Sequence, residues 1–136
     1  MINVIIGEKG TGKTARLIEA VHIAEQAATG SVVFINKGKR HVLDLSHTVR
    51  LVDTEEYSLN SYEEFFGFIC GILSQNYDIA HIFIDSITKI VNDDMAAFEK
   101  FLDRIAPIAE ASSAEIQIIL SMNPAEVSDG IKKYVK

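Results

Sequence analysis

Residues 7 to 14 read Gly-Glu-Lys-Gly-Thr-Gly-Lys-Thr, a G-x-x-x-x-G-K-T spacing that restricts the backbone to a tight turn. Ile2, Val4, Ile5 and Ile6 precede it as a short, β-branched apolar run, the pattern of a buried strand. Leu17, Ile18, Val21, Ala24 and Ala28 follow at helical spacing, so the turn joins a strand to a helix. The glycines let the backbone point its N–H groups inward, and the N-terminal end of the helix adds positive potential. Such a loop suits phosphate oxygens. Gly7, Glu8, Lys9, Gly10, Thr11, Gly12, Lys13, Thr14 and Ala15 would surround a nucleoside triphosphate. Lys13 would reach the β- and γ-phosphates, and the Thr14 hydroxyl would ligate Mg²⁺. An incidental glycine turn is the alternative, and the strand before and helix after argue against it.

At 136 residues the chain is expected to form one domain around one core. A hydrophobic fraction of 48% suits several fully buried parallel strands. The net charge of −6 argues against a dedicated nucleic-acid surface, which would be basic. Cys70 is the only cysteine, which excludes an intramolecular disulfide framework and a cysteine-rich zinc site. No run reaches a membrane span, and the N-terminus lacks the basic and apolar regions of a signal peptide. A cytoplasmic location is the expectation.

Gly30 reads as the C′ residue closing the first helix. Ser31 to Asn36 reads as a second buried strand, and Lys37, Gly38, Lys39, Arg40 and His41 as a basic turn at its C-terminal end. In an open α/β sheet that is the ligand-binding edge. Lys37, Lys39 and Arg40 either approach phosphates or a second substrate there, or form a solvated loop, the blander reading of a charge run. Val42 to Asp53 alternates weakly, as a short hairpin or an edge strand at 49–53. Asp53, Glu55 and Glu56 form an acidic turn, read as solvated rather than as the source of a base. Ser61 and Glu64 make a capping box for a helix to about Gln75, with Phe65, Ile69, Ile72 and Leu73 buried.

Ile82, Phe83 and Ile84 form a buried strand ending in Asp85, which places one carboxylate at the same edge. Asn92 or Asp93 is expected to cap a helix bearing Met95, Phe98, Leu102, Ile105 and Ala109, kinked or shifted in register at Pro107. Ile116 to Leu120 makes a further strand, ending in Ser121-Met122-Asn123-Pro124. Asn123, with Pro124 next and Glu126 three residues on, is also a good helix start, for a last helix from Pro124 to about Val135.

Alternating strands and helices predict a three-layer α/β/α sandwich with a mainly parallel central sheet. The Gly7–Thr14 loop and the strand ending in Asp85 resemble the P-loop NTPase superfamily, in its RecA-like branch, and the chain is similar to small bacterial ATP-binding proteins. The resemblance implies that ATP and Mg²⁺ bind, with Thr14 and Asp85 setting the metal. It implies a catalytic or sensing role for Lys13 and Asn123, and it places the strand ending at Ser121 between those ending at Gly7 and Asp85. Hydrolytic members of the group commonly carry a glutamate after the metal-binding Asp. Here Ser86 stands there, and serine cannot polarise water as a carboxylate does. The leading expectation is therefore a slow ATPase or nucleotide-dependent switch, with a catalytic glutamate or arginine supplied by another copy of the chain or a protein partner. A second resemblance, to the zinc-containing thymidine kinases, implies a nucleoside-type small-molecule kinase. Ser86 and the lone Cys70 depart from that pattern. A non-catalytic assembly module stabilised by ATP is the third reading.

Overall fold

A computed structural model describes residues 1–27, 30–41 and 43–136. Five strands form one all-parallel sheet: β1 (Ile2–Gly7), β2 (Ser31–Asn36), β3 (Arg50–Asp53), β4 (Ile79–Ile84) and β5 (Glu115–Ser121). Their order across the sheet is β1-β5-β4-β2-β3, so β5 lies between β1 and β4. The helices are α1 (Lys13–Ala27), α2 (Tyr62–Gln75), α3 (Ile87–Ile90), α4 (Met95–Ser112) and α5 (Asp129–Lys132). The architecture is an α/β/α sandwich. Val32 to Ile35 and Ile82 to Ile84 are buried without alternation, because helices cover both faces of the sheet.

On one face Leu17, Val21 and Ala24 of α1 pack on Val32, Phe34, Phe83 and Ile119. Ala28, expected on the same stripe, lies outside the described residues. On the other face α2 and α4 enclose Phe65, Ile69, Phe98, Phe101, Leu102 and Ile105. There Tyr62 stacks obliquely on Phe98 and Phe101, with ring centroids 5.2 and 5.8 Å apart. Tilted rings at this separation add specific attraction to their burial. No helix among the described residues is long and apolar enough to cross a membrane.

Local signals and the structure agree at the start of α2. Ser61 Oγ accepts from the Glu64 N–H at 3.1 Å, while Glu64 Oε1 reaches back to the N–H of Asn60 rather than Ser61. The weak segment after Val42, a residue outside the described set, resolves as an edge strand rather than a hairpin, with β3 parallel to β2.

Several expectations are corrected. The helix end that Gly30 was expected to close as C′ lies at residues 28 and 29, outside the described residues. Glycine is required at Gly30 because a Cβ there would collide with the Asp78 carbonyl, which accepts the Ser31 N–H at 2.7 Å. Asp94, rather than Asn92 or Asp93, caps α4 by accepting from the Ala97 N–H at 2.8 Å. Pro107 does not shift the register of α4, which runs on to Ser112. Its ring is exposed, and Phe98, Phe101, Leu102, Ile105 and Ala109 keep one buried stripe across it. The single short helix expected from Pro124 to about Val135 is also absent, although Val127 and Ile131 are buried as expected. Pro124–Glu126 makes a 3₁₀ turn, α5 is one turn long, and Val135 is exposed rather than turned inward. The chain instead lies along the outer edge of β1, where Val4 N–H donates to Tyr134 O and Lys136 N–H to Val4 O. An open strand edge offers main-chain partners that a short exposed helix cannot match.

Candidate functional site

Because every strand is parallel, all five C-terminal ends meet at one edge, and the Gly7–Thr14 loop leaves that edge for α1. Its glycines have separate causes. A Cβ on Gly7 would sit 2.8 Å from Thr11 Oγ1 and 3.3 Å from Lys13 Cδ. Gly10 and Gly12 take φ of 81° and 80°, where a side chain is strained. Thr11 Oγ1 donates to Glu8 O at 2.8 Å and tightens the turn. Glu8 to Gly12 and Ala15 are exposed, whereas Lys13 is only 5% exposed. A buried ammonium needs partners. Lys13 Nζ finds them in its own loop, donating to Glu8 O at 2.6 Å and to Thr11 Oγ1 at 3.3 Å. The first turn of α1 carries no acidic side chain, so its positive end is not neutralised locally.

Asp85 follows β4 directly and is 1% exposed. Its N–H donates to Ile35 O at 2.9 Å, locking it beside β2. Oδ1 accepts from Thr14 Oγ1 at 3.1 Å and from Ser86 Oγ at 3.2 Å. Thus the threonine of the glycine loop and the aspartate of β4, 71 positions apart, come into contact. Ser86 has φ 55° and ψ 63°, a left-handed conformation in a residue other than glycine, which turns the chain sharply from β4 into α3.

His41 is the residue that sequence reasoning missed. It was read only as part of the basic turn, yet its Nε2 lies 3.4 Å from Asp85 Oδ2, while its Nδ1 faces Asp44 Oδ2 at 3.1 Å. The imidazole stands edge-on to Phe34, with centroids 6.1 Å apart. Asn36, at the end of β2, is 1% exposed, and among the described residues neither its amide nitrogen nor its oxygen has a hydrogen-bond partner. Asp85 Oδ2 and His41 Nε2 also lack a hydrogen bond of proper geometry. Asn36 did carry a signal in the sequence, a polar residue closing an apolar strand as Asp85 does. His41 carried only its place in the basic turn at the ligand-binding edge, and Asp44, in an irregular segment, carried none.

Lys37, Lys39 and Arg40 are exposed. Gly38, at φ 96°, donates its N–H to Asp53 Oδ1 at 2.7 Å, and the same oxygen accepts from Glu55 N–H at 2.9 Å. Those two N–H groups, Glu55's first, hold the Asp53 carboxyl below its ordinary range. Asp53 therefore ties the turn after β2 to the end of β3. Asn123 is exposed and its Oδ1 accepts from Ala125 N–H at 3.0 Å, so it caps the 3₁₀ turn. The neighbouring Met122 N–H donates to Gly7 O at 3.0 Å, which fastens this junction to the glycine loop.

Among the described residues no group of three or more His, Cys, Asp or Glu side chains could hold a metal ion by itself. Thr14 Oγ1 and the Asp85 carboxylate are nevertheless hard oxygen donors, and Asp85 Oδ2 has no hydrogen bond beyond its 3.4 Å contact with His41 Nε2. That set fits Mg²⁺, which retains several waters and shares its remaining positions with phosphate oxygens. A cavity of about 620 Å³ between α2 and α4 is lined by none of these residues. No family model matches the chain, and no curated protein matches it in sequence, so the geometry of this edge carries the functional reading.

Proposed function

We propose that the chain is a P-loop protein of RecA-like type that binds Mg²⁺-ATP and works as a slow ATPase or nucleotide-dependent switch. The contact of Thr14 with the buried Asp85, beside a buried lysine held by its own loop, is the observation that carries this reading. The exposed backbone of residues 8 to 12 would take the phosphates, and Lys13 would exchange its bond to Glu8 O for one to a phosphate oxygen. Thr14 and Asp85 would hold Mg²⁺, which when bound neutralises charge on the phosphates. No clear N-K-x-D guanine-reading motif is present in the sequence, which favours ATP over GTP.

Slow turnover follows from the residues beside Asp85. Ser86 has no carboxylate and spends its hydroxyl on Asp85 Oδ1. The position of β5 between β1 and β4 and the covered faces of the sheet support the same reading. Calorimetry with ATP, ADP and GTP, each with Mg²⁺ and with EDTA, tests it together with chromatography of nucleotide released from the purified protein. ATP should bind, and more tightly with Mg²⁺. Absence of binding to every triphosphate would overturn the proposal.

A further inference from the structure

The sheet edge holds one polar side chain, Asn36, that neither the fold nor the glycine loop uses among the described residues. Phe34 pairs with Phe83 and Ile35 with Ile84, so the next position in register sets Asn36 beside Asp85. Val32, Phe34 and Phe83 all pack on the α1 face, and side chains alternate along a strand, so Asn36 and Asp85 share that face. His41 closes the group from the loop that follows β2. The Asn36 amide nitrogen and oxygen are buried and unbonded there among the described residues, while Asp85 Oδ2 and His41 Nε2 face each other at 3.4 Å. An apolar side chain would serve a core position better.

The donor and acceptor of the Asn36 amide narrow what could bind it. A phosphate oxygen only accepts, and would leave the Asn36 oxygen without a donor. A bare cation would leave the Asn36 amide hydrogens unused. A hydroxyl group both donates and accepts. We propose that Asn36, flanked by Asp85 and His41, seats the hydroxyl that attacks the terminal phosphate, an inference that rests on the triphosphate reading of this edge. In the step assigned to it, the hydroxyl oxygen forms a bond to the γ-phosphorus while the bond from that phosphorus to the β-phosphate oxygen breaks. The electron pair leaves with the nucleoside diphosphate, and the hydroxyl proton passes to an oxygen of the transferred phosphoryl group. Asn36 stays neutral throughout and acts as a positioning residue, with its amide hydrogen on the attacking oxygen. The hydroxyl belongs to water, giving hydrolysis, or to an alcohol, giving a phosphate ester.

Asn36→Leu separates this role from a structural one. It keeps the branching and heavy-atom count, adds some volume and removes two unbonded polar atoms, so thermal stability should stay close to that of wild type. Calorimetric ATP affinity should stay within about threefold of wild type, while single-turnover cleavage of γ-labelled ATP should fall roughly tenfold to a hundredfold. Asn36→Ser, whose hydroxyl both donates and accepts, should recover part of the rate and serves as the second variant if the leucine protein does not fold. Reactions with water alone, with glycerol and with a set of nucleosides distinguish the sources by label in inorganic phosphate or in an ester. Three outcomes overturn the proposal: cleavage by a folded, ATP-bound Asn36→Leu protein within twofold of wild type; a lower melting temperature with cleavage falling only as the folded fraction falls; and a wild-type protein that binds ATP yet transfers label to neither water nor any alcohol. Failure of wild type to bind ATP would be a different result, removing the triphosphate reading itself.

Discussion

Replacing Lys13 by alanine removes a buried ammonium whose recorded partners both lie in its own loop, Glu8 O at 2.6 Å and Thr11 Oγ1 at 3.3 Å. The free protein therefore loses little long-range structure. Removing a buried charge also offsets the lost packing of the side-chain stem, so the melting temperature should change by no more than about 5 °C. Ligand binding is affected differently. On binding, Nζ would exchange two uncharged oxygens for phosphate oxygens. A hydrogen bond between two charged groups exceeds one to a neutral acceptor by about 1–1.5 kcal/mol, so two such bonds account for about 2–3 kcal/mol. That corresponds to an affinity loss of roughly 30- to 150-fold. Titration calorimetry with Mg²⁺-ATP on wild type and Lys13→Ala, with unfolding curves on both, measures the two effects separately. Equal affinity in two folded proteins would refute the argument, because it would show that the ammonium does not meet the phosphates.

Asp85→Asn keeps the shape at the end of β4 but not the charge, so ATP affinity should fall about tenfold or more with Mg²⁺ and little with EDTA; an equal fall in both conditions would make Asp85 structural. Gly30→Ala drives a Cβ into the Asp78 carbonyl and should destabilise the protein by about 2–3 kcal/mol, lowering the melting temperature by roughly 6–15 °C. A melting temperature within 2 °C of wild type would show that the β2–β4 junction relaxes freely. Tyr134 donates to Asp103 Oδ1 at 2.7 Å, and burial first, then that bond, pushes its hydroxyl up to about 12. The stability it contributes is thus complete below its ordinary value near 10 and is lost as pH rises through about 12. Asp103 is held below 3.8, first by the same bond, so its share is present above that value and is lost as pH falls through the lowered one. Tyr134→Phe should lose stability at neutral pH and show a flatter decline between pH 10 and 12; parallel wild-type and variant profiles would exclude the pair as the cause.

Short-range rules account for what could be read directly from the residues. The three loop glycines, the β-branched runs, the Ser61 cap and the stripe of α4 depend on local φ preference and on spacing within a few residues, and all appear in the structure. Asp85 was legible for the same reason, as a carboxylate ending an apolar strand. Where two local signals competed, tertiary contacts decided. Asn123 caps a 3₁₀ turn and the chain after it pairs with β1, because the exposed edge of that strand supplied partners that no nearby sequence could reveal. At Gly30 the structure adds a requirement that no local signal shows, the approach of the Asp78 carbonyl from a strand connection 48 positions away. The meeting of His41 with Asp85, and the placing of Asn36 beside it, depend on the register of β2 against β4 and on the path of an irregular turn. Neither has a period or a spacing in the chain, so only the packing of the whole sheet could bring those side chains together.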